Sequence, residues 1–488
     1  MRSLTLLIVF FICAICVNAQ TPQATPPPPA PPRSGKFPTP VEQTLPNGLR
    51  VIVIERHESP LITAQLLIKN GAEVDPPELA GLADMTANLL TKGTQSRDAT
   101  KIAQEIESLG GSLDAGARWD ASTATVGVMS SKIQQAMEIL ADVVRHPTFK
   151  SEEVERLRQQ NLDNFTLALG DPGSIARFVA ARVVFGDSPY GHPVSGTAES
   201  LTRITAADIA KMHSRYYRPD NAILVIGGDI NGKDGIALAT KYFGDWQKPT
   251  TPLPAISAAM DAAAAPKTGR VVVIDKPDAG QAAVFLARTG INRKDPDYFR
   301  GIVSNSVLSG YSGRLNQEIR IKRGLSYGAG SALESRRDVG PFLASAQTKN
   351  ESGAMVADLL LGEIGRLSSA PPADAELTPR KAVLIGNFSR NLETAGGLVG
   401  QVGSLALYGM GLDEINRYIN NVQAVNTADI QKFAGTRLDA KTANIIIVGN
   451  AKAFLPELQK KYPNVEVIPV TELDLNTALL RKKKETAD

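Results

Sequence analysis

The chain repeats its own pattern of apolar runs after about 220 residues, which constrains its fold more than any other feature. Four segments recur in the same order, with offsets between 219 (Ala64 to Ala283) and 223 (Asn221 to Asn444). The matched segments are Arg50–Glu55 with Arg270–Asp275, Ala64–Gly71 with Ala283–Gly290, Gly81 with Gly301, and Asn221–Gly227 with Asn444–Gly449. A repeat this long indicates a duplicated domain and not a short-period solenoid. The sequence therefore predicts two domains of one fold.

Each half combines strand-like apolar runs with amphipathic helices. In the first half, strands are predicted at 51–54, 62–68, 112–117, 122–128 and 222–226. Helices are predicted at 81–91, 100–109, 131–144 with Ser131 as the cap, 151–169, 173–185 and 205–217, where Thr205 and Asp208 resemble a capping box. Paired strands with helices grouped between them favour an α+β fold, a mixed sheet with helices on one face, over a doubly wound parallel sheet.

Shifts in composition set the predicted boundaries. Arg2 followed by the apolar stretch Leu4–Val17 is typical of a signal peptide, and this stretch is too short for a typical membrane span. Nine prolines between residues 20 and 40 predict an extended linker. The predicted segments are a signal peptide (1–19), a Pro-rich linker (20–42), a first domain (43–247), an Ala/Pro/Thr-rich linker (248–269), a second domain (270–475) and a solvated basic tail (476–488).

Cysteine usage and net charge narrow the cellular compartment and the classes of partner expected for this protein. Cys13 and Cys16 both lie in the signal segment, so cleavage would leave neither a disulfide nor a thiol nucleophile. A cysteine-free exported chain fits a bacterial periplasm or secretion, although the segment could instead be retained as an anchor. The formal charge of +3, without a basic stripe, argues against nucleic acid as a partner.

The segment Gly81–Thr94 carries the most informative family resemblance. It reads G-L-A-D-M-T-A-N-L-L-T-K-G-T. It is similar to the zinc-binding helix of insulinase/pitrilysin-type metallopeptidases, which is approximately G-L-A-H-x-x-E-H-x-L-x-K-G-T. The resemblance places Asp84 and Asn88 at the two His ligands and Ala87 at the Glu that activates the metal-bound water. The family's third ligand, a Glu on a later helix, falls near Asn164, beside Asp163.

These replacements should disable a metal site. A catalytic zinc ion needs about three protein ligands, and His at i and i+4 supplies two of them from one helix face. The amide of Asn88 is a weak donor, the lone carboxylate of Asp84 does not hold zinc, and Ala87 cannot act as a general base. The chain has four His, none at ligand spacing, and all are expected in loops or at the surface: His57, His146, His192 and His213. His192, after the turn-like Pro189-Tyr190-Gly191, is the one of most interest.

The resemblance extends over about residues 43–475. The segments that carry it are Leu45–Val51, Gly110–Ala115, Pro189–Pro193, Tyr216–Ala222 and Arg320–Tyr327. The last reads R-I-K-R-G-L-S-Y and is similar to the family's R-x-x-x-G-L-x-Y motif. It implies that Arg320 and Tyr327 hold a substrate carbonyl and stabilise the tetrahedral intermediate, in trans to a partner's zinc site. Asp114 and Ala115, on an edge strand where the family has Asn-Ala, would bind extended peptide by strand addition.

An intact Arg/Tyr motif beside a degenerate zinc motif suggests a division of labour between subunits. The resemblance is to the zinc-less subunit of bacterial heterodimeric members, with zinc in the partner and peptides as substrates. The zinc-less chain of the mitochondrial processing peptidase has a long Gly-rich loop, whereas Leu308–Gly313 is short here. Two alternatives stay open: a catalytically inactive binding or scaffold protein, and a stand-alone hydrolase that uses Asp84 with Asp163.

Overall fold

The computed structural model describes residues 37–255 and 269–482 of the 488-residue chain. The predicted signal peptide, residues 20–36 of the first linker, residues 256–268 of the second linker and the last six residues lie outside the described residues. Within the described ranges, none of the helices combines the length and the apolar character that a membrane crossing requires.

The described elements alternate between short groups of strands and groups of helices. The strands are β1 (Val41–Thr44), β2 (Arg50–Glu55), β3 (Leu61–Ile68), β4 (Ser112–Ala117), β5 (Ser122–Met129), β6 (Ala222–Gly228), β7 (Val271–Asp275), β8 (Ala282–Thr289), β9 (Ile291–Asn292), β10 (Ala329–Leu333), β11 (Ser335–Arg336), β12 (Pro341–Thr348), β13 (Asn444–Gly449) and β14 (Glu466–Pro469). The helices of the first half are α1 (Leu82–Leu89), α2 (Ala99–Ser108), α3 (Ile133–Arg145), α4 (Ser151–Gly170), α5 (Pro172–Phe185), α6 (Ala198–Arg203), α7 (Ala206–Tyr216) and α8 (Gly232–Phe243). Those of the second half are α9 (Tyr298–Leu308), α10 (Arg314–Asn316, continued as a π-helical turn over Gln317–Ile321), α11 (Gly353–Ser369), α12 (Asp374–Leu392), α13 (Ala395–Leu407), α14 (Glu414–Ala424), α15 (Thr427–Arg437) and α16 (Leu455–Lys461).

Each half builds a six-stranded mixed sheet with the same internal order. The first sheet runs β1-β2-β6-β3-β5-β4 and the second runs β10-β12-β8-β13-β7-β14. The parallel pair β2–β6 corresponds to the parallel pair β7–β13, and the remaining shared pairs are antiparallel in both sheets. The sheets differ at one edge, where the first adds β1 and the second adds β14. The predicted α+β class and the duplication are confirmed.

The helix predictions for the first half hold, apart from one cap. Thr205 and Asp208 form the capping box at the start of α7, because each side chain accepts from the main chain of the other. Ser131, predicted to cap α3, lies instead within a 3₁₀ turn, Ser130–Lys132. Helix α3 begins at Ile133 without a side-chain cap, so its start depends on the preceding turn and on packing.

Both faces of the first sheet are buried. Alternate residues of a strand point to opposite faces, so Val51 and Val53 contribute to one core and Ile52 and Ile54 to another. The first core is filled by helices of the same half, as predicted. The second is closed by helix α13, which comes from the other half of the chain. The α13 residues in that core are Leu398, Val399, Val402, Leu405 and Ala406.

The crossing of helices between the halves is reciprocal. Helix α5 of the first half covers the second sheet, and its buried residues Ile175 and Val179 share a core with Val272, Phe285 and Ile446. Each sheet therefore depends on the other half for one of its two covers. Burying a Val, Leu or Ile side chain stabilises a fold by about 1.5–3 kcal/mol, so the crossing joins the halves into one cooperative body.

The structure moves two predicted boundaries. Strand β1 begins at Val41, inside the predicted first linker, and Phe37 exchanges main-chain hydrogen bonds with the side chain of Asn416 at 2.8 and 3.2 Å. In the predicted basic tail, Leu480 is fully buried against the second sheet's core, whereas its neighbours Leu479 and Arg481 are exposed. The burial of Leu480 and hydrogen bonds of Asn476 and Ala478 hold this part of the tail on the fold.

Candidate functional site

Helix α1 presents the degenerate zinc motif to the space between the two halves. Its start is fixed by the buried carboxylate of Asp75, which accepts from the main-chain N–H groups of Gly81 and Ala83 at 2.9 and 2.8 Å. Asp84 and Asn88 lie one turn apart and are half-buried, while Ala87 is fully buried. The framework that would aim two ligands in one direction is therefore intact.

Asp84 is held in a low-polarity position. Burial raises the pKa of its carboxyl to about 6 from an ordinary 3.8, and hydrogen bonds from Asn88 and from the Ala117 main chain oppose the rise. The Asn88 amide nitrogen also donates to the Asp84 main-chain oxygen at 2.9 Å. The two side chains are thus engaged with each other and with their own helix.

The residues at this position do not fit zinc. The site offers one carboxylate and one amide, and the third predicted position, Asn164, is exposed on α4. Within the described ranges, no three His, Cys, Asp or Glu side chains come together in a metal-binding group. Asp163 is also exposed and accepts from Gln159 at 2.9 Å. It does not line the cavity that Asp84 borders, so the alternative carboxylate pair is not assembled there.

His192 lies in a loop, as predicted, although its side chain is buried, whereas His213 lies in helix α7 and is half-buried. The Nε2 of the half-buried His213 lies 2.8 Å from the Val144 main-chain oxygen, and desolvation of the ring lowers its pKa to about 4. His192 is buried with ring nitrogens 3.0 and 3.1 Å from the main-chain oxygens of Pro193 and Ala72, and burial lowers its pKa as well. Single His residues carry no periodic signal, so the sequence could not separate these two from the exposed His57 and His146.

A cavity of about 290 Å³ lies beside Asp84, with walls from both halves of the chain. Most of its lining is apolar. The polar groups that line it are Asp84, Arg177, His192, Ser195, Glu334 and Arg336. The sequence singled out Asp84 and His192 but neither Arg336 nor Trp119, whose ring lies against both His192 and Arg336. A Trp and an Arg more than 200 residues apart give no local sign that they will meet.

The Arg/Tyr motif lies on the surface of the second half. Arg320 falls in the π-helical turn after α10, and its guanidinium lies 5.5 Å from the ring centroid of Tyr311. Tyr327 is 90% exposed at the mouth of a polar cavity of about 350 Å³, which is also lined by Ser174 and Arg177 of α5. π-Helical turns are rare and occur frequently at functional sites. Both predicted side chains are accessible to a second molecule.

Strand β4 forms one edge of the first sheet, as its sequence predicted. Asp114 and Ala115 pair with Thr125 and Ala124 of β5, and among the described strands none pairs with the other side of β4. Asp114 is exposed. An open edge of this kind offers main-chain donors and acceptors to an extended peptide.

A buried polar cluster around Asp120 joins the two halves. The Asp120 carboxylate accepts from the hydroxyls of Tyr190 and Tyr408, the latter at 3.1 Å, and from the Arg337 main-chain N–H at 2.8 Å. The Arg337 guanidinium pairs with Glu73 at 2.9 Å and donates to the Lys69 main-chain oxygen at 2.6 Å. These contacts fix the halves at the level of the cavity, so the position of Asp84 relative to the second half is defined.

The fold and this site together identify the class of protein to which the chain belongs. The chain is a duplicated α+β protein of the metallopeptidase type, with a zinc-helix framework but without the ligands. Family models agree: the model described as insulinase (peptidase family M16) matches residues 50–166, and the one described as peptidase M16 inactive domain matches residues 203–384. The chain belongs to the insulinase family, peptidase family M16.

The chain is similar to proteins from several bacteria. An uncharacterized zinc protease of Mycobacterium leprae is 27% identical over 366 residues, which cover 74% of this chain and 80% of the relative. A peptidase M16 inactive domain from Pseudomonas fluorescens superposes with a TM-score of 0.78 at 26% identity, covering 84% of this chain and 98% of that one. The periplasmic protease PqqL from Escherichia coli shares the fold, with a TM-score of 0.69 at 16% identity over 88% of this chain and 51% of that protein.

Proposed function

We propose that this chain is the non-zinc subunit of a heterodimeric zinc peptidase. It would supply Arg320 and Tyr327 to the active site of a zinc-bearing homologue that cleaves peptides. The observation that carries the proposal is the contrast within one chain. The zinc positions hold Asp84, Ala87 and Asn88, whereas the Arg/Tyr motif is complete, with Tyr327 exposed and Arg320 half-buried.

The surface around Arg320 supports a second subunit as the neighbour. Tyr311, Ile321 and Tyr327 are all large apolar side chains with exposed fractions of 72%, 48% and 90%. Aromatic residues and Arg are enriched where protein interfaces carry most of their binding energy. This surface has the composition of an interface centre and not of a solvated loop.

The chemistry assigned to these residues is electrostatic. When a peptide carbonyl becomes tetrahedral, negative charge develops on its oxygen, and donors already placed there lower the barrier. The Arg320 guanidinium and the Tyr327 hydroxyl are such donors. Strand β4, through Asp114 and Ala115, would hold an extended segment of the substrate by adding it to the first sheet. No step of the reaction is assigned to a metal in this chain.

The setting proposed for the complex is the bacterial periplasm. The signal-like residues 1–19 and the absence of cysteine after Cys16 support export to a compartment where large domains do not depend on disulfides. A structural relative, PqqL of Escherichia coli, is described as periplasmic.

The experiment that tests the proposal is mutation of the Arg/Tyr motif in the reconstituted pair. This chain is co-expressed with a homologue that carries an intact H-x-x-E-H motif, and peptide hydrolysis is measured for wild type, Arg320→Ala and Tyr327→Phe. Each variant should lower kcat by about 10²–10³ while the pair still co-purifies. Arg323→Ala is the matched control, because Arg323 is a nearby exposed Arg held by Glu318 at 2.9 Å. Full activity in both motif variants would refute the catalytic role.

The scaffold alternative has its own outcome in this experiment. A binding or scaffold protein would not activate the homologue, and Arg320→Ala would then change nothing that can be measured in hydrolysis. A stable pair without activity would therefore favour the scaffold function over the subunit function.

A further inference from the structure

Arg336 lies inside a box of aromatic rings. Its guanidinium carbon is 4.5 Å from the ring centroid of Trp119, 4.9 Å from that of Tyr190 and 5.3 Å from that of Phe185. The residue is only 7% exposed. Rings at these distances attract a cation through their π faces and hold it in one orientation. The planar group is therefore fixed in place before any ligand arrives.

The hydrogen-bonding capacity of this guanidinium is largely unused. A guanidinium carries five N–H donors, and Arg336 uses Nη2 to pair with the half-exposed Glu334 at 2.8 Å. Its Nε and Nη1 have no hydrogen-bond partner among the described residues. Buried donors without partners are costly, and in native proteins they call for an explanation such as a ligand. The charged guanidinium of Arg336 is therefore held against aromatic rings, but only one of its three nitrogens has a hydrogen-bond partner among the described residues.

Arg336 also forms the wall between two cavities. The cavity of about 290 Å³ beside Asp84 and a second cavity of about 750 Å³ share Trp119, Val194, Glu334 and Arg336 as lining residues. On the first side, apolar residues dominate: Phe178, Phe185, Val194, Pro341 and Leu343. Pockets that hold small ligands measure about 300–1,000 Å³; the second cavity lies within this range and the first lies at its lower limit.

We propose that Arg336 is the anchor of a binding site for an apolar carboxylate, such as the end of a peptide whose last residue is apolar. The carboxylate would pair with the guanidinium, for which planar carboxylates are the best geometric match. The apolar group beside it would occupy the cavity lined by Phe178 and Leu343. The same chemistry could come from an acidic side chain within a peptide, so both sources need testing.

The site lies wholly within this chain and does not depend on the proposed partner. Its walls come from β11 and β12 of the second half and from α5 and the β4–β5 connection of the first half. A ligand bound there would touch both halves at once. The inference can therefore fail while the proposed subunit function stands, and the reverse also holds.

Trp119 provides a direct reporter for the test. The chain has two Trp residues, so Trp246→Phe leaves Trp119, in contact with Arg336, as the sole source of Trp fluorescence. Three N-acetylated probes are titrated into the isolated full chain: a tripeptide ending in leucine with a free carboxylate, its C-terminal amide, and an amide that carries one internal glutamate. Binding is followed by Trp119 emission and by calorimetry.

The free acid should bind saturably and change Trp119 emission, while the plain amide should bind at least about tenfold more weakly. Binding of the glutamate-containing amide in place of the free acid would assign the site to side-chain carboxylates. Arg336→Gln should abolish the difference between acid and amide, and Arg336→Lys should reduce it, because an ammonium group keeps the charge but not the planar fork. Arg366→Gln, at an exposed Arg that lines neither cavity, should leave it unchanged.

Equal affinity for acid and amide, no binding of any probe, or a difference that survives in Arg336→Gln would each overturn the proposal. Thermal unfolding followed by circular dichroism accompanies every variant. If Arg336→Gln does not fold, the acid–amide comparison on the parent chain and the Arg336→Lys variant still decide the matter.

Discussion

Replacing Asp120 by Ala should loosen the junction between the two halves more than any surface change. Asp120 is 2% exposed and accepts from two tyrosine hydroxyls, Tyr190 and Tyr408, and from the Arg337 main chain. Tyr408 and Arg337 belong to the second half, whereas Asp120 and Tyr190 belong to the first. Alanine removes every acceptor and leaves these donors buried.

The magnitude follows from the number of donors left unpaired. Each buried polar group without a partner costs about 1–3 kcal/mol, and water entering the gap recovers part of the sum. We expect Asp120→Ala to lower the free energy of unfolding by ~3–5 kcal/mol, the range for breaking a buried charged pair. Asp120→Asn keeps one acceptor oxygen and should cost ~1–3 kcal/mol.

Urea unfolding monitored by circular dichroism and by Trp fluorescence measures these values, with coincidence of the two signals as the check on two-state behaviour. A double-mutant cycle isolates the contact: Tyr408→Phe alone should cost about 0.5–1.5 kcal/mol, but close to nothing in the Asp120→Ala background. Asp413→Ala, at an exposed ion pair with Arg417, is the control and should change little. A loss below ~1 kcal/mol for Asp120→Ala, or an equal cost of Tyr408→Phe in both backgrounds, would refute this reasoning.

Two further predictions concern the helix crossing and the degenerate zinc helix. A methyl group added at Gly403 of α13 would lie 2.9 Å from Leu67 Cδ1, so Gly403→Ala should lower the free energy of unfolding by ~1–3 kcal/mol. A methyl group added at Gly400 of the same helix would meet nothing within 4 Å, so Gly400→Ala should raise the free energy of unfolding by up to ~1 kcal/mol. Thermal unfolding of the two variants compares them, and equal shifts would contradict the packing of α13 on the first sheet. The folded-state pKa of Asp84, about 6, exceeds its ordinary 3.8, so the folded state favours the protonated carboxyl. The stability that this protonated group contributes is complete below about pH 4 and is lost as pH rises through about 6. This loss, at most ~3 kcal/mol, should disappear in Asp84→Asn when urea unfolding is compared at pH 4 and pH 7, and an unchanged pH dependence would contradict the burial of Asp84.

The helices and strands and the duplication could be predicted because they depend on patterns of neighbouring residues in the sequence. Continuous apolar runs such as that within Arg50–Glu55 predict strands, and their recurrence within Arg270–Asp275 predicts the second sheet. The edge position of Asp114 also followed, from the resemblance of Gly110–Ala115 to the family's edge strand. The positions of Asp84, Ala87 and Asn88 on one helix were equally predictable from a single motif.

Contacts between the halves could not be predicted. Helix α13 reads as a buried helix, but nothing within its sequence says that it covers the first sheet and not its own. The box of Trp119 and Arg336, the cluster at Asp120 and the burial of His192 all depend on how distant elements pack. Ser131 shows the same limit locally, because this residue, which could cap a helix, lies instead within a 3₁₀ turn that begins one residue earlier.

The central claim is that this chain needs a zinc-bearing partner to act on peptides. The most direct measurement is zinc content together with peptide hydrolysis, for the isolated chain and for the chain co-expressed with its H-x-x-E-H homologue. The account predicts neither zinc nor activity in the isolated chain, and both in the mixture, with roughly one zinc per pair. Stoichiometric zinc or hydrolysis by the isolated chain would contradict it, as would a mixture no more active than the homologue alone.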